Sequence, residues 1–107
     1  MRFIPPPIEA GNSRVIWLKF VWDSEKAEIN KKKHKVSFET AARVFLDDNN
    51  LDDYDEFHSD FEDRNKIIGM VGNILTVIYT ARGEKCRIIS ARRANKKERD
   101  DYYEQFS

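Results

Sequence analysis

Two apolar runs separated by a short glycine-containing loop constrain the fold of this chain more than any other feature. Residues 74–81 and 86–91 are rich in Ile, Val, Thr and Tyr, the residue types that suit a pleated, half-buried surface. The loop between the runs contains Gly83, which can adopt the positive φ that a short hairpin turn requires. The two runs therefore predict an antiparallel hairpin, and the polar, basic segment that follows them predicts a helix.

Charge is segregated along the chain, although the formal net charge is zero. Basic residues outnumber acidic ones eight to two between Arg82 and Arg99, whereas residues 47–63 contain nine acidic residues and no Lys or Arg. Guanidinium groups stay charged and offer planar pairs of donors that match phosphate oxygens. The asymmetry therefore indicates an anionic partner for the hairpin region and is compatible with a basic partner for the acidic segment.

The N-terminal part of the chain predicts an extension, a strand and a helix. Residues 1–14 include three consecutive prolines and are expected to be a flexible N-terminal extension to a single domain at residues 15–107. Residues 15–22 are almost entirely apolar and predict a buried first strand. A helix is expected at residues 24–34, because an Asp-Ser pair that can cap it stands at its start.

A second helix is expected from Ser37, a good N-cap, to about Leu46. Its apolar residues recur at helical spacing and are expected to face the core: Phe38, Ala41, Ala42 and Phe45. The acidic residues 51–63 are expected to form an edge strand in part and a loop in part. Residues 64–71 predict a further strand that leads into the hairpin.

Asn95 followed by Glu98 is close to a capping box and predicts the start of a C-terminal helix. The expected core-facing stripe of this helix is Arg99, Tyr102, Tyr103 and Phe106. Strand and helix blocks are separate along the chain, so the predicted fold is α+β. In this prediction an antiparallel β-sheet of about four strands packs with two N-terminal helices and one C-terminal helix.

Cys86 is the only cysteine, which excludes an intramolecular disulfide and a cysteine-rich zinc site. It begins a strand pattern and is expected to be an inert, small hydrophobic residue rather than a nucleophile. The chain has no run of 18 apolar residues, so no membrane-spanning segment is predicted. These features fit a protein of the reducing cytoplasm.

The basic residues suit the cleavage of RNA, because a 2′-hydroxyl can attack the adjacent phosphate without a metal. That reaction needs a general base, a general acid for the leaving oxygen and cations for the equatorial phosphate oxygens. Six residues are candidates for these catalytic roles: Lys33, His34, Glu62, Arg64, Arg82 and Arg92. Three more are candidates for binding RNA phosphates: Lys85, Arg87 and Arg93. A metal site has weaker support, because only two histidines are present.

Strand alternation predicts that Arg87 and Arg93 point to one face of the second hairpin strand and that Arg92 points to the other. Glu62 and Arg64 are two residues apart, so an extended backbone would place both on one side. In a simpler alternative the arginines are solvated rim residues, and Glu62 with Arg64 is a surface ion pair worth less than about 1 kcal/mol.

Several segments, taken in order, resemble the BrnT family of bacterial type II toxins, which have a RelE-like fold. The resemblance covers about residues 20–103. The matching residues are Phe20-Val21-Trp22-Asp23, Lys26, Asn30, Lys33-His34, Val36-Ser37-Phe38-Glu39, Ala42, Val44-Phe45, Asp47, Glu62, Arg64, Ile68-Gly69, Val77, Tyr79-Thr80, Arg82-Gly83, Arg87-Ile88-Ile89-Ser90-Ala91-Arg92, Ala94 and Glu98-Arg99.

The resemblance implies a cytoplasmic endoribonuclease that cleaves RNA, inhibits translation and requires no metal or other cofactor. It also implies a cognate, BrnA-like antitoxin that neutralises the toxin and carries a DNA-binding domain. The complex would bind operator DNA only through the antitoxin and would repress its own operon. No membrane partner is implied.

The chain departs from the family pattern in three places. Lys35 stands where the family usually has Gly, which would suit a left-handed helix end. Asn65 stands where the family usually has Trp, and residues 1–14 have no counterpart. Two other functions stay open at this point. One is a non-catalytic RNA- or protein-binding module that uses the same basic sheet face, and the other is a structural subunit that docks through its acidic segment.

Overall fold

Five strands and three α-helices are formed by the residues that the computed structural model describes, which are 19–54 and 64–107. In chain order the elements are β1 Lys19–Val21, α1 Ser24–His34, α2 Phe38–Ala42, a 3₁₀ helix Arg43–Leu46, β2 Leu51–Tyr54, β3 Asn65–Val71, β4 Asn73–Arg82, β5 Lys85–Arg93 and α3 Lys96–Glu104. The predicted extension at residues 1–14 and the predicted site residue Glu62 lie outside the described residues.

The strands form one mixed sheet in the order β1-β5-β4-β3-β2. Strands β2 to β5 are an antiparallel meander, whereas β1 pairs in parallel with β5 and places Phe20 opposite Cys86. The predicted α+β class is confirmed, but the antiparallel sheet of about four strands needs correction, because β1 is a fifth strand and is parallel to its neighbour. A long stretch of chain separates β1 from β5, so their pairing is not held to the antiparallel sense that a hairpin imposes. The RelE-like description stays a prediction.

The predicted hairpin is confirmed as β4 and β5. A two-residue turn, Gly83-Glu84, joins Arg82 to Lys85, which pair directly. Gly83 has a φ of 62°, and Glu84 is not among the residues with positive φ. Positive φ at the first turn residue alone is the pattern of a type II′ turn, whose twist matches that of the flanking strands.

The predicted helix caps are also confirmed. Asp23 Oδ1 accepts hydrogen bonds from the backbone N–H groups of Glu25 and Lys26 at 2.9 and 3.1 Å. Ser37 Oγ accepts from the backbone N–H of Thr40 at 3.1 Å. At the start of α3, the side chains of Asn95 and Glu98 each accept from the other residue's backbone N–H, which completes a capping box.

Most of the hydrophobic core lies between the sheet and the layer formed by α1, α2 and the 3₁₀ helix. Phe38, Ala41 and Ala42 are buried there, and Phe45 packs against them in a half-buried position. The predicted stripe of the second helix is therefore confirmed. We call this side of the sheet the core face; its fully buried strand residues include Phe20, Val77, Cys86, Ile88 and Ala91.

A smaller core lies beneath α3 on the other side of the sheet. It consists of Ile68, Ile74, Ala94 and Tyr102. The predicted stripe of this helix is wrong for three of its four members, because Arg99, Tyr103 and Phe106 are exposed and only Tyr102 is buried. The helix touches a small apolar area at one end of the sheet, so only a narrow line of its side chains is covered.

The buried Asn30 side chain takes the place of a strand partner where β1 has ended. Its Nδ2 donates to the carbonyl oxygens of Ala91 and Val36 at 2.8 and 3.0 Å, and its Oδ1 accepts from the Ala91 N–H at 3.1 Å. Buried backbone groups need such partners. The Asn30 amide therefore joins α1 to the edge of β5 that lies beyond the end of β1.

Cys86 is fully buried, and burial raises the pKa of its thiol. A protonated, inaccessible thiol is a poor nucleophile, which confirms the prediction of a small hydrophobic residue. Among the helices of the described segments, none is long and apolar enough to cross a membrane.

Candidate nucleic-acid interface

One side of the sheet is the core face, and on the other side α3 packs over the end of the sheet that carries Ile68 and Ile74. Residues opposite each other in neighbouring strands share a face, as do residues two apart in one strand. Arg82 pairs with Lys85 and Lys85 pairs with Lys19, so three cations form one row across β4, β5 and β1. The next row places Arg87 opposite Thr80.

Two further rows lead toward α3. Lys66 and Ser90 both pair with Ile78, and Arg92 pairs with Thr76. Successive rows are about 7 Å apart and neighbouring strands about 5 Å apart. We call this side of the sheet the open face, and its polar and basic members are Lys19, Lys66, Thr76, Thr80, Arg82, Lys85, Arg87, Ser90 and Arg92. Thr76 and Thr80 are buried, whereas the cations are exposed or half-buried.

A β-bulge interrupts the alternation of β5 within this surface. Ile78 and Tyr79 are consecutive in β4, but they pair with Ser90 and Ile88, so Ile89 has no residue opposite it. One extra residue in a strand exchanges the faces of all side chains beyond it. Even-numbered side chains of β5 therefore lie on the core face before Ile89 and on the open face after it.

The bulge places Arg87 and Arg92 on the same face. The prediction from alternation, that these two side chains face opposite ways, is therefore wrong. Arg93 pairs with Leu75, a buried residue of the larger core, and so lies on the core side at the exposed end of β5. The structure thus groups Arg87 with Arg92 and separates both from Arg93.

The carboxylate of Glu98 is the most heavily bonded polar group at the border between the open face and α3. Arg92 donates from Nη1 and Nη2 to its two oxygens at 2.7 and 2.9 Å. Thr76 Oγ1 and the Asn95 backbone N–H each donate at 2.9 Å, and Lys66 Nζ lies 3.4 Å away. Glu98 is 3% exposed, so these donors replace water around a buried charge.

The ionised form of Glu98 is strongly favoured. Burial alone would raise its pKa, but hydrogen bonds from Arg92, the Asn95 N–H and Thr76, together with the charge of Arg92, lower the pKa to about 2. The same hydrogen bond raises the pKa of Arg92. The pair therefore stays charged at neutral pH and fixes the orientation of the Arg92 guanidinium, whose side chain is 37% exposed.

The structure places four of the predicted site residues on the open face, namely Arg82, Lys85, Arg87 and Arg92, with Arg82 and Arg92 at opposite ends of it. Arg64 directly precedes β3 in a half-buried position, two residues before Lys66.

Two predicted catalytic residues lie elsewhere. Lys33 and His34 end α1, and α1 packs on the core face, where Ala27 contacts the larger core and Asn30 bonds to Ala91. The structure does not bring Lys33 and His34 together with the arginines of the open face. Glu62, as noted, lies outside the described residues.

Sequence reasoning missed Lys19, Lys66 and Thr76 as members of this surface, and it treated Glu98 only as a helix cap. The spacing of Asn95 and Glu98 was a usable signal, because a capping carboxylate six residues after Arg92 stands within reach of its guanidinium. Lys66 and Thr76 carried no local signal, because their positions depend on the register of three strands.

Within residues 19–54 and 64–107, no group of three or more His, Cys, Asp or Glu side chains is placed to hold a metal ion. Asp53 pairs with Lys66 at the border of the open face, so one acid adjoins the cations there.

Comparison with known proteins identifies one family. A family model described as the ribonuclease toxin BrnT of a type II toxin–antitoxin system matches residues 22–98. The crystal structure of the Brucella abortus ribonuclease toxin BrnT is similar, with 26% sequence identity and a TM-score of 0.55. The match covers 72% of this chain and 96% of the Brucella chain. No curated protein matches the chain.

Proposed function

Since this chain belongs to the BrnT family of ribonuclease toxins of type II toxin–antitoxin systems, we propose that it is an active endoribonuclease that holds RNA on its open face. The observation that carries the proposal is the bulge at Ile89. It places Arg87 and Arg92 on the same face as Arg82, Lys85 and Lys19. A surface with this many cations in register suits a polyanion.

The spacing of the cations favours a single strand. Rows of side chains about 7 Å apart and strands about 5 Å apart offer several phosphate contacts along one extended backbone. Arg82 and Arg87 present planar donor pairs, and Lys85 and Lys19 add point charges beside them. Single-stranded RNA can be bound in this way without recognition of its sequence.

The proposed step is attack of the 2′-hydroxyl on the adjacent phosphate, which forms a 2′,3′-cyclic phosphate and releases the 5′-oxygen of the next nucleotide, with no metal requirement. Arg82 stabilises the equatorial phosphate oxygens at the turn end of the hairpin. Arg92, held by Glu98, supplies the same kind of cationic stabilisation at the other end. Glu62 and Arg64, from the segment before β3, remain candidates for the catalytic roles. Lys33 and His34 remain catalytic proposals as well, but they would need RNA to reach around the sheet to α1.

The cellular role follows from RNA cleavage. We propose that the chain acts in the cytoplasm and inhibits translation by cleaving RNA. The family implies an antitoxin partner, and the finer proposal is a BrnA-like antitoxin that neutralises the toxin and binds DNA. The complex would reach operator DNA through the antitoxin and repress the operon.

Two arginines of β5 provide the sharpest test. Arg87→Ala removes a cation from the open face, whereas Arg93→Ala removes the same group from the core side of the same strand. We expect Arg87→Ala to slow cleavage of a single-stranded RNA by about tenfold or more. It should also reduce the salt dependence of RNA binding by about 0.7 in the logarithmic slope.

Arg93→Ala should match the wild-type protein in both measurements, and circular dichroism should show that both variants fold. An equal loss of cleavage rate in the two variants, or an unchanged rate in Arg87→Ala, would contradict RNA binding on the open face. Expression of the wild-type chain without antitoxin should stop growth and degrade bulk RNA. Normal growth with intact RNA and soluble protein would contradict ribonuclease activity itself.

One observation favours a second candidate, a non-catalytic RNA-binding module. Arg92 already makes a bidentate pair with Glu98, which neutralises part of its charge. This candidate predicts salt-sensitive RNA binding without cleavage, either in magnesium or in EDTA. Products that end in a 2′,3′-cyclic phosphate would exclude it.

A further inference from the structure

Exposed apolar side chains gather at one place on the described part of the chain. Of the five large hydrophobic residues that are exposed there, four surround the C-terminal end of α3: Leu46, Met70, Tyr103 and Phe106. With Tyr102 and Arg43 they line a cleft of about 630 Å³. The fifth exposed residue, Ile29, stands apart on α1. We call the first group the α3 cleft.

The α3 cleft is held in shape by fixed contacts. The buried Tyr102 donates its hydroxyl hydrogen to Asp47, and its ring lies 5.5 Å from that of Tyr103 and 5.8 Å from that of Phe106. Gln105 Nε2 donates to the Asn49 carbonyl at 2.8 Å. The exposed rings are therefore already placed before any partner arrives, which lowers the entropy cost of binding.

The composition of the α3 cleft is that of a protein interface. Tyr, Phe, Met and Arg are the residue types enriched at interfaces, and all four line it. Acidic residues outnumber basic ones around it: Asp47 lines it beside Arg43, and Asp48, Asp101 and Glu104 adjoin lining residues in sequence, with Lys97 paired to Asp101 at 3.1 Å. A partner that fits would present apolar side chains flanked by basic ones.

We infer that the α3 cleft is the docking site of the antitoxin, which binds through a segment that presents apolar side chains flanked by basic ones. The inference rests on the family's antitoxin partner and not on ribonuclease activity. A partner with basic flanks is attracted to the acidic surroundings of this cleft. The same partner would be repelled by the cations of the open face.

The docking site is distant from the hairpin-turn end of the open face. Ile74, beneath α3, and Arg82, at the hairpin turn, are eight residues apart in β4, a distance of about 26 Å. An antitoxin segment seated in the α3 cleft therefore leaves Arg82 and Lys85 uncovered. Antitoxin binding and RNA cleavage should respond to different substitutions.

The test uses the full chain and the purified protein encoded by the reading frame beside it. Tyr103→Ala with Phe106→Ala should raise the Kd for that protein by at least about 30-fold, as expected for interface residues that dominate binding. Ile29→Ala is the matched control, because its side chain is 57% exposed, like that of Phe106, but lies on α1. It should leave the Kd within about twofold.

Both variants should melt at the wild-type temperature and cleave RNA at the wild-type rate. Glu104→Lys should weaken binding several-fold and reduce its dependence on salt, whereas tighter binding would contradict a basic partner. Equal affinities for the double variant and Ile29→Ala, or no binding by the wild-type chain, would overturn the docking site. A concentration-dependent dimer that the double variant loses would instead assign the α3 cleft to a second copy.

Failure of the proposed function has a different signature. A wild-type chain that binds the neighbouring protein but cleaves no RNA would contradict the ribonuclease proposal. The docking site would then still be judged by the double variant alone.

Discussion

Replacement of Glu98 by Gln should destabilise the fold by about 3 kcal/mol at neutral pH. Hydrogen bonding to Arg92, Thr76 and the Asn95 N–H lowers the pKa of Glu98 from 4.5 to about 2. Each pKa unit corresponds to about 1.4 kcal/mol, so ionisation of the buried carboxylate contributes about 3 kcal/mol to the free energy of unfolding. Gln keeps the size of the side chain but has no charge. Its NH₂ group faces hydrogen-bond donors, from which it cannot accept.

The pH dependence of this loss has a definite sign. A depressed pKa in the folded state means that the stabilisation is fully present above about pH 4.5 and declines as the pH falls toward 2. At pH 3 the contribution of Glu98 is about 1.4 kcal/mol, less than half of its neutral value. The difference between wild-type and Glu98→Gln should therefore narrow as the solution is acidified.

Urea denaturation followed by far-UV circular dichroism at pH 7, 4.5 and 3 measures this difference. Asp100→Asn is the matched control, because Asp100 lies on the same helix and pairs with Lys96 at 2.8 Å on the exposed surface. Exposed pairs contribute little, so this variant should unfold almost as the wild-type does. Equal loss of stability in both variants, or a loss in Glu98→Gln that does not change with pH, would contradict a stabilising role of the Glu98 charge.

Two further substitutions test the C-terminal end of α1 and the connection of α1 to β5. Lys35 has a φ of 62°, so Lys35→Gly should raise the free energy of unfolding by about 0.5–1 kcal/mol, and an unchanged or lower urea midpoint would contradict this. Asn30→Ala should lower it by about 2–3 kcal/mol, because the N–H and C=O of Ala91 lose their partner. Hydrogen exchange of the Ala91 amide should accelerate in that variant, and unchanged exchange would show that another group protects it.

The elements that were predictable from sequence depend on local chemistry. Asp23 and Asn95 mark the starts of α1 and α3, because a cap accepts hydrogen bonds from N–H groups only two or three residues away. Gly83 marks the hairpin turn for a similar reason. The parallel pairing of β1 with β5 was not predictable, because it joins residues more than 60 positions apart and no turn connects them.

The candidate site was less predictable than the fold, because it depends on a single unpaired residue. Basic residues of β5 can be counted in the sequence, but whether Arg87 and Arg92 act together depends on the face that each occupies. Simple alternation would place the two side chains on opposite faces, and the bulge at Ile89 places them on the same face. Ile89 is one of several apolar residues in an ordinary strand pattern, so nothing local marks it as the extra one. The bulge is set by how the two ends of β5 pair with β4, and the cationic surface is therefore a property of sheet register rather than of composition.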